Sequence, residues 1–501
     1  MKSLLSLLAL VALCQGQIDI SCSPSNLSCL ENRTKVDQAL LEIPNSVTFP
    51  IQNDPFYDTP SNFTQAQPGQ IVKLETQTNV TAYDVPPGTS LSRFMYASVD
   101  DKNQTVPATG IILWPFTPKT FAYNPLGTAG ETKYPLVAWA HGTSGVVRQC
   151  AVSNLRNLQY DFRSVFTLAN LGYAVVIADY AGLGTNVPFN YLAYKLHAND
   201  VVYGVSAAQS VFAELSTEWL SFGHSEGGGV AWAIAERQAV SPIPGFLGTI
   251  AAAPPPFPIA TTSTASNSVF QAFLSFTIAR LYGLDLAAIF RPVPLQALQY
   301  VESIGGCNDA GYAAFATFNA TDIYSNLSWP MSQPAVDFAA DYSVSGKPLG
   351  GPLLIVQGSA DTVVGTVGAM LGYNATCAVS ANAQVSVQYV SVNNQDHNPS
   401  LYASQRLWLQ WIEDRFNRFP LQEGCSMLNE SSARPGASVQ TAERFLVEYT
   451  KPWVTIFTST FLPSYLWKFD LGGLSKLSNR APRTIQLIKF RYDPADPHEI
   501  K

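Results

Sequence analysis

Basic residues are scarce in this chain of 501 residues: 29 lysines and arginines stand against 36 aspartates and glutamates, a formal net charge of −7. That balance excludes a nucleic-acid partner, which requires a basic face. Charge of either sign is thin, at 13% of residues against 47% hydrophobic, so the chain reads as a compact globular protein and not as a disordered one. Histidine is rarer still: only His141, His197, His224, His397 and His498 can serve any chemistry that needs an imidazole. Repeats and low-complexity tracts are missing too. The N-terminal apolar run, Leu4 to Leu13 in "MKSLLSLLALVALCQGQ", is too short to span a bilayer. With Lys2 before it and the small residues Cys14 and Gly16 after it, residues 1–16 read as a secretory leader cleaved before Gln17. The expected location is extracellular.

Loss of the leader removes Cys14 and leaves Cys22, Cys29, Cys150, Cys307, Cys377 and Cys425. An even number in an exported chain points to disulfides, with the pairing left open at this stage. Nine Asn-x-Ser/Thr sites (Asn26, Asn32, Asn62, Asn79, Asn103, Asn319, Asn326, Asn374 and Asn429) fit a eukaryotic secretory route, because glycans need exposed positions.

Residues 17–66 are rich in Pro, Asn, Ser and Thr and read as an irregular glycosylated arm. A hairpin follows, "SRFMYASV" and "TGIILWPF" around a turn-like segment. The pattern then changes to continuous apolar runs: "PLVAWAHG", "YAVVIADYAG", "WLSFGHSEG", "FLGTIAAAP" and "PLLIVQGSAD". Short runs of this kind, separated by helical stretches such as "GVAWAIAERQAV", are strands of a parallel sheet buried on both faces. The fold class is therefore α/β, a mostly parallel central sheet with helices on both faces, over residues 67–425. About residues 254–350 break the strand–helix rhythm and read as an inserted helical cap, with Phe270, Phe273, Leu274, Ile278 and Leu281 on one stripe and Phe276 beside it. The stripe is either core or the wall of an apolar pocket. Residues 426–501 form a C-terminal extension in which "PWVTIFTSTFLPSYLW" is apolar, yet Pro452 and Pro463 argue against a membrane span. It reads as a flap, a lipid contact or simple core.

Within "SFGHSEGGGV", Ser225 sits in the pattern Gly-x-Ser-x-Gly. The bare pattern arises by chance about 0.2 times in a chain of this length, so its surroundings must decide. They favour a nucleophile: an apolar strand precedes the turn, a helix follows it, and Gly223 and Gly227 remove Cβ atoms where the two nearly collide. The helix start aims amides at any anion formed there.

A serine hydroxyl needs a base. In hydrolases with such an elbow the order is Ser, then Asp or Glu, then His, which leaves His397 and His498. His397 follows an alternating strand and should emerge at the carboxyl edge of the sheet, whereas His498 lies in a charged tail; His397 is the choice. His224, next to the serine, should point away from it. Asp361, ending "GPLLIVQGSAD", lies on the same edge and would orient the imidazole; its plainer role is to cap the next helix. For the oxyanion, the amide of Glu226 is one donor, and "AWAHGTSG" supplies a second at Thr143, with Gly142 permitting close approach. No metal or organic cofactor is required.

Together the segments "NDPFYDTP", "QPGQIV", "WAHGTSGVVRQCAVS", "DYAGLGT", "GHSEGGG" and "GSADTVV" make the chain, from about Asn53 to His397, resemble the fungal secretory lipase family, the lipase A-like branch of the α/β-hydrolases. The resemblance implies a Ser225–Asp361–His397 triad, a lid inserted before the Asp-bearing strand, and hydrolysis of carboxylic esters such as acylglycerols. It also implies disulfides Cys150–Cys307 and Cys377–Cys425, leaving Cys22–Cys29 as a local pair. Elbow neighbours vary in the family, and Glu226 places an acid beside the oxyanion hole. The expectation is a secreted, monomeric serine ester hydrolase acting on a small-molecule or lipid ester at or near a lipid–water interface. Phe270, Phe273, Leu274, Phe276 and Ile278 would then wall its acyl pocket. The alternatives are a serine peptidase or amidase on the same scaffold, or a non-catalytic binding module.

Overall fold

A computed structural model describes residues 47–448 and 455–459, apart from 49, 124–125, 127–132, 161, 265–267, 316–317, 381–384 and 442–443. The leader, Cys22, Cys29, Asn26, Asn32 and His498 lie outside the described residues.

The strands are β1 Ile71–Glu75, β2 Ser90–Val99, β3 Thr105–Trp114, β4 Tyr134–Ala140, β5 Ala174–Ala178, β6 Leu215–His224, β7 Phe246–Ala252, β8 Leu353–Gly358, β9 Val387–Val392 and β10 Cys425–Glu430. They form one sheet in the order β1-β2-β3-β5-β4-β6-β7-β8-β9-β10. The hairpin of β2 and β3 pairs antiparallel, as do β1 with β2 and β3 with β5. Every neighbouring pair from β5 through β10 is parallel. The expected sheet is thus present, and β10 carries it past Cys425.

The two-residue period of β4 explains how the sheet is covered. Leu136, Ala138 and Ala140 point into one apolar cluster, with Val176, Trp219 and Trp232; Val137 and Trp139 point into another, with Ile177, Phe222 and Trp408. Helices cover both faces: α1 Phe162–Asn170, α2 Tyr194–Val211 and α3 Glu226–Val240 come first. Between β7 and β8 lie seven helices among the described residues: α4 Pro258–Thr264, α5 Ser268–Leu281, α6 Leu286–Ile289, α7 Pro292–Ser303, α8 Asn308–Phe315, α9 Ala320–Ile323 and α10 Gln333–Tyr342. This is the helical insertion expected from the broken rhythm. After β8 come α11 Thr366–Ser380, α12 His397–Ala403 and α13 Gln405–Phe416.

From Val47 onward the N-terminal segment is packed and not loose. Thr48 donates to the Asn154 carbonyl at 2.8 Å, and Phe56 and Tyr57 are buried. Arg93 lies over the Phe56 ring at 4.3 Å and bonds Asp54 and Glu75 at 2.7 and 2.8 Å, so the cation in β2 is neutralised where it is buried.

Among the described residues two cysteine pairs are bonded, Cys150–Cys307 and Cys377–Cys425, with Cα separations of 5.4 and 6.0 Å. The first joins the chain after β4 to the cap; the second ties α11 to β10. At all seven described Asn-x-Ser/Thr sites the asparagine is exposed. No helix among the described residues is long and apolar enough to cross a membrane. Residues 444–501 form a separate unit in which strands Arg444–Glu448 and Thr455–Ser459 pair antiparallel; the rest of "PWVTIFTSTFLPSYLW" lies outside the described residues.

Candidate active site

Four chain segments leave the carboxyl edge of the parallel sheet close together, after β4, β6, β8 and β9. β6 ends at His224, and the next residue, Ser225, turns directly into α3. Its φ of 58° and ψ of −125° lie in a region that costs a non-glycine residue about 1–3 kcal/mol. The surroundings hold it there. The Ser225 amide donates to the Ala252 carbonyl at 2.9 Å, and the Ser225 carbonyl accepts from Gly228 at 2.8 Å. The turn closes only because two side chains are missing: a Cβ on Gly223 would lie 2.0 Å from the Gly227 carbonyl oxygen, and one on Gly227 would lie 1.9 Å from that of Ala140.

Asp361 follows the end of β8 and His397 opens α12 after β9. His397 Nδ1 and Asp361 Oδ2 are 2.8 Å apart and both residues are buried. The other carboxylate oxygen, Oδ1, accepts from the amides of Val363 and Val364 at 2.9 and 2.7 Å, so one carboxylate both fixes its own loop and orients the imidazole. Burial pushes the Asp361 carboxyl up, but the charge and hydrogen bond of His397 and the two amides outweigh it and hold the group below the usual carboxylate range. Asp396, next to His397 in the chain, acts on the backbone, capping α12 through the His397 amide at 2.8 Å and accepting from the Thr362 amide at 2.8 Å.

The His224 ring packs beside that of His397, with centroids 4.6 Å apart, and approaches Tyr160, whose hydroxyl lies 3.4 Å from His224 Nδ1. This contact joins the elbow strand to the His397 loop and has no sign in the sequence. Gly142 and Thr143 face the elbow from the loop after β4. A Cβ on Gly142 would meet the Tyr160 hydroxyl at 1.9 Å. The Thr143 hydroxyl bonds that of Tyr191 at 3.0 Å, and Gln159 Nε2 donates to the Thr143 carbonyl at 2.9 Å.

Ser225, Glu226 and Thr143 line one cavity together with Tyr191, Leu192, Phe270 and Val364. It holds about 20 Å³, room for about one water molecule. Of the five cap residues expected as an acyl wall, only Phe270 reaches it. Phe273, Leu274, Phe276 and Ile278 are buried in the packing of α5 instead, because that helix is covered on every side and not on one stripe. Phe273 meets Tyr191 edge-on at 6.0 Å. Residues missed from sequence are Tyr191, Leu192, Val363 and Val364; their signal was proximity in the chain to Asp361 and to α2.

Comparison of the sequence with family models and with curated proteins finds no match. Comparison of the structure with solved ones does. Candida antarctica lipase A in its closed state aligns over 79% of this chain and 93% of its own, at 15% identity and a TM-score of 0.60. The chain has the α/β-hydrolase fold. A second structure of the Candida lipase aligns with a TM-score of 0.61 at 14% identity, over 79% of this chain and 92% of that one. The rice cell wall degrading esterase LipA from Xanthomonas oryzae aligns over 69% of this chain and 97% of its own, at 19% identity and a TM-score of 0.54. Within the α/β-hydrolase frame, the cavity at Ser225 lies at the carboxyl edge of the strands, where open α/β sheets take their ligands.

Proposed function

We propose that this chain is a serine hydrolase of carboxylic esters, of the lipase A-like kind, that works through an acyl-enzyme on Ser225. The observation that carries the reading is the 2.8 Å bond between His397 and Asp361 on the sheet edge that also bears Ser225 in a strained turn. Asp361 accepts from His397 Nδ1, which leaves Nε2 as the base that takes the Ser225 proton. Ser225 Oγ attacks the ester carbonyl, and the amides of Glu226 and Thr143 receive the negative oxygen. His397 then returns the proton to the departing alcohol, and water repeats the sequence on the acyl-enzyme. Burial of Asp361 and His397 keeps their interaction strong by excluding solvent.

An ester with an apolar acyl group suits the lining, in which Phe270, Leu192, Val363, Val364 and Pro255 carry no charge. Export as a glycoprotein is supported by two disulfides and by the exposure of all seven described acceptor asparagines. The Candida and Xanthomonas proteins are named as a lipase and an esterase, which favours esters over amides for a chain of the same fold.

A fluorophosphonate probe should label the protein, and Ser225→Ala should abolish both labelling and hydrolysis of p-nitrophenyl esters. Labelling that persists in the variant removes Ser225 as nucleophile. Faster turnover of p-nitroanilide peptides than of any p-nitrophenyl ester replaces the ester reading with a peptidase.

A further inference from the structure

Glu226 is the first residue of α3 and its side chain is buried, 1% exposed, beside the nucleophile. Its Oε1 accepts from the Leu192 amide at 3.4 Å and lies 3.5 Å from Nδ1 of His197 on α2. Thr143 faces it from the loop after β4, and Tyr191 and Tyr194 are the other titratable groups turned toward it. His197 is equally buried. Its ring stacks on Tyr180 at 4.4 Å and on Phe189 at 5.1 Å, and Tyr180 stacks in turn on His141 at 4.1 Å. Among the described residues, no lysine or arginine is one of the groups that act on Glu226.

Two buried groups so placed have two options, an ion pair or a neutral pair. Burial pushes the Glu226 carboxyl up to about 8, against the opposing pull of the Leu192 amide and the Thr143 side chain. Burial, with His141 nearby, pushes His197 down to about 3. Both point to the neutral pair around neutral pH: a carboxylic acid beside an uncharged imidazole 3.5 Å away.

We infer that Glu226 is a positioning residue, whose uncharged carboxyl group, braced by His197, ties the start of α3 to Leu192 and to the Thr143 loop and so keeps the two oxyanion amides in register. The inference rests on the assignment of those amides in the proposed function. Loss of the carboxyl proton leaves an unpaired charge next to the site where the tetrahedral oxygen turns negative, which opposes catalysis. His197 also lines a cavity of about 380 Å³ with Asp200 and Arg280, through which the proton can exchange with solvent.

The test is the pH dependence of kcat on a p-nitrophenyl ester for the parent, Glu226→Gln and Glu226→Ala, with active sites counted by fluorophosphonate and folding followed by circular dichroism at each pH. With an apparent pKa near 8, the parent at pH 9 retains about one tenth of its plateau. Glu226→Gln, which keeps the hydrogen-bonding shape without the ionisable proton, should lose that alkaline fall. Glu226→Ala should lower kcat at least tenfold with KM little changed, and Gln should rescue most of that loss. An identical alkaline fall in the parent and in Glu226→Gln overturns the inference, as does a Gln variant as impaired as Ala. A parent that takes no label sinks the proposed function itself, so the two failures are distinguishable.

Discussion

Gly227→Ala tests whether packing of the elbow, and not merely the presence of a serine, makes the site. The new Cβ would lie 1.9 Å from the Ala140 carbonyl oxygen, 2.6 Å from its carbon and 2.8 Å from the His141 carbonyl carbon. These are backbone atoms of β4 and of the residue after it, so no side-chain rotation relieves the overlap. Reaching even 3.0 Å requires α3 and β4 to separate by about 1 Å. Overpacking of this kind costs about 1–3 kcal/mol of stability. A displacement of about 1 Å at a reacting group can cost on the order of 100-fold in rate, and here the displaced helix is capped by Ser225. The assay is kcat on p-nitrophenyl butyrate beside the midpoint of urea unfolding, with Gly368→Ala as the control. Gly368, in α11, has nothing within 4 Å of its would-be Cβ, so that change should leave kcat alone and add about 0.5–1 kcal/mol. A Gly227→Ala protein with the parent's kcat and midpoint would refute the argument that the missing Cβ atoms hold the turn.

Asp361→Asn keeps an acceptor for the Val363 and Val364 amides but confronts the His397 Nδ1 proton with an amide, and kcat should fall on the order of 10⁴-fold with little change in stability; a loss under tenfold, read by steady-state kinetics, counts against the triad. Phe270→Ala, in the cavity wall, should slow long-chain p-nitrophenyl esters more than short ones, whereas Phe273→Ala empties the fully buried packing of α5 and should cost about 3–5 kcal/mol and reduce all substrates alike. Linkage gives a further expectation: because the Glu226 carboxyl is raised from 4.5 to about 8 in the folded protein, its contribution to stability is complete below about pH 4.5 and is lost as pH rises toward 8. His197, lowered to about 3, acts in the opposite sense: its contribution is complete above about pH 6.5 and is lost as pH falls. Urea unfolding between pH 6.5 and 8.5 should therefore show the parent weakening and Glu226→Gln holding level, and parallel curves would contradict this.

The sheet was legible because its central strands are buried on both faces. Val137 and Trp139 of β4 meet one cluster and Leu136, Ala138 and Ala140 the other, so the run "PLVAWA" carries no polar alternation and reads at once as a parallel core strand. The order of the proposed triad was legible for a related reason: each member lies at or just beyond the carboxyl end of such a strand. Helix α5 failed the same treatment. Buried on nearly every side, it offers no stripe by which to separate Phe270, which faces the cavity, from Phe273, which faces Tyr191 and the cap. Periodicity reports one covered face; it is silent when all faces are covered.

What was hidden in sequence was the polar layer beneath Ser225, since its contacts join residues far apart in the chain: His224 with His397, and Glu226 with His197. A signal was nonetheless present in the rarity of histidine. Of five in the chain, His141 follows β4, His224 ends β6, His397 opens the helix after β9, and His197 lies on α2. All four are buried, where an imidazole is retained only if hydrogen bonds and rings replace its water. A residue type that is scarce in the chain is thus gathered around Ser225, where the proposed triad would move a proton through His397 and the inferred Glu226 pair would withhold one beside His197. In the proposed scheme, the second contact would let an acid sit next to the oxyanion amides without opposing them.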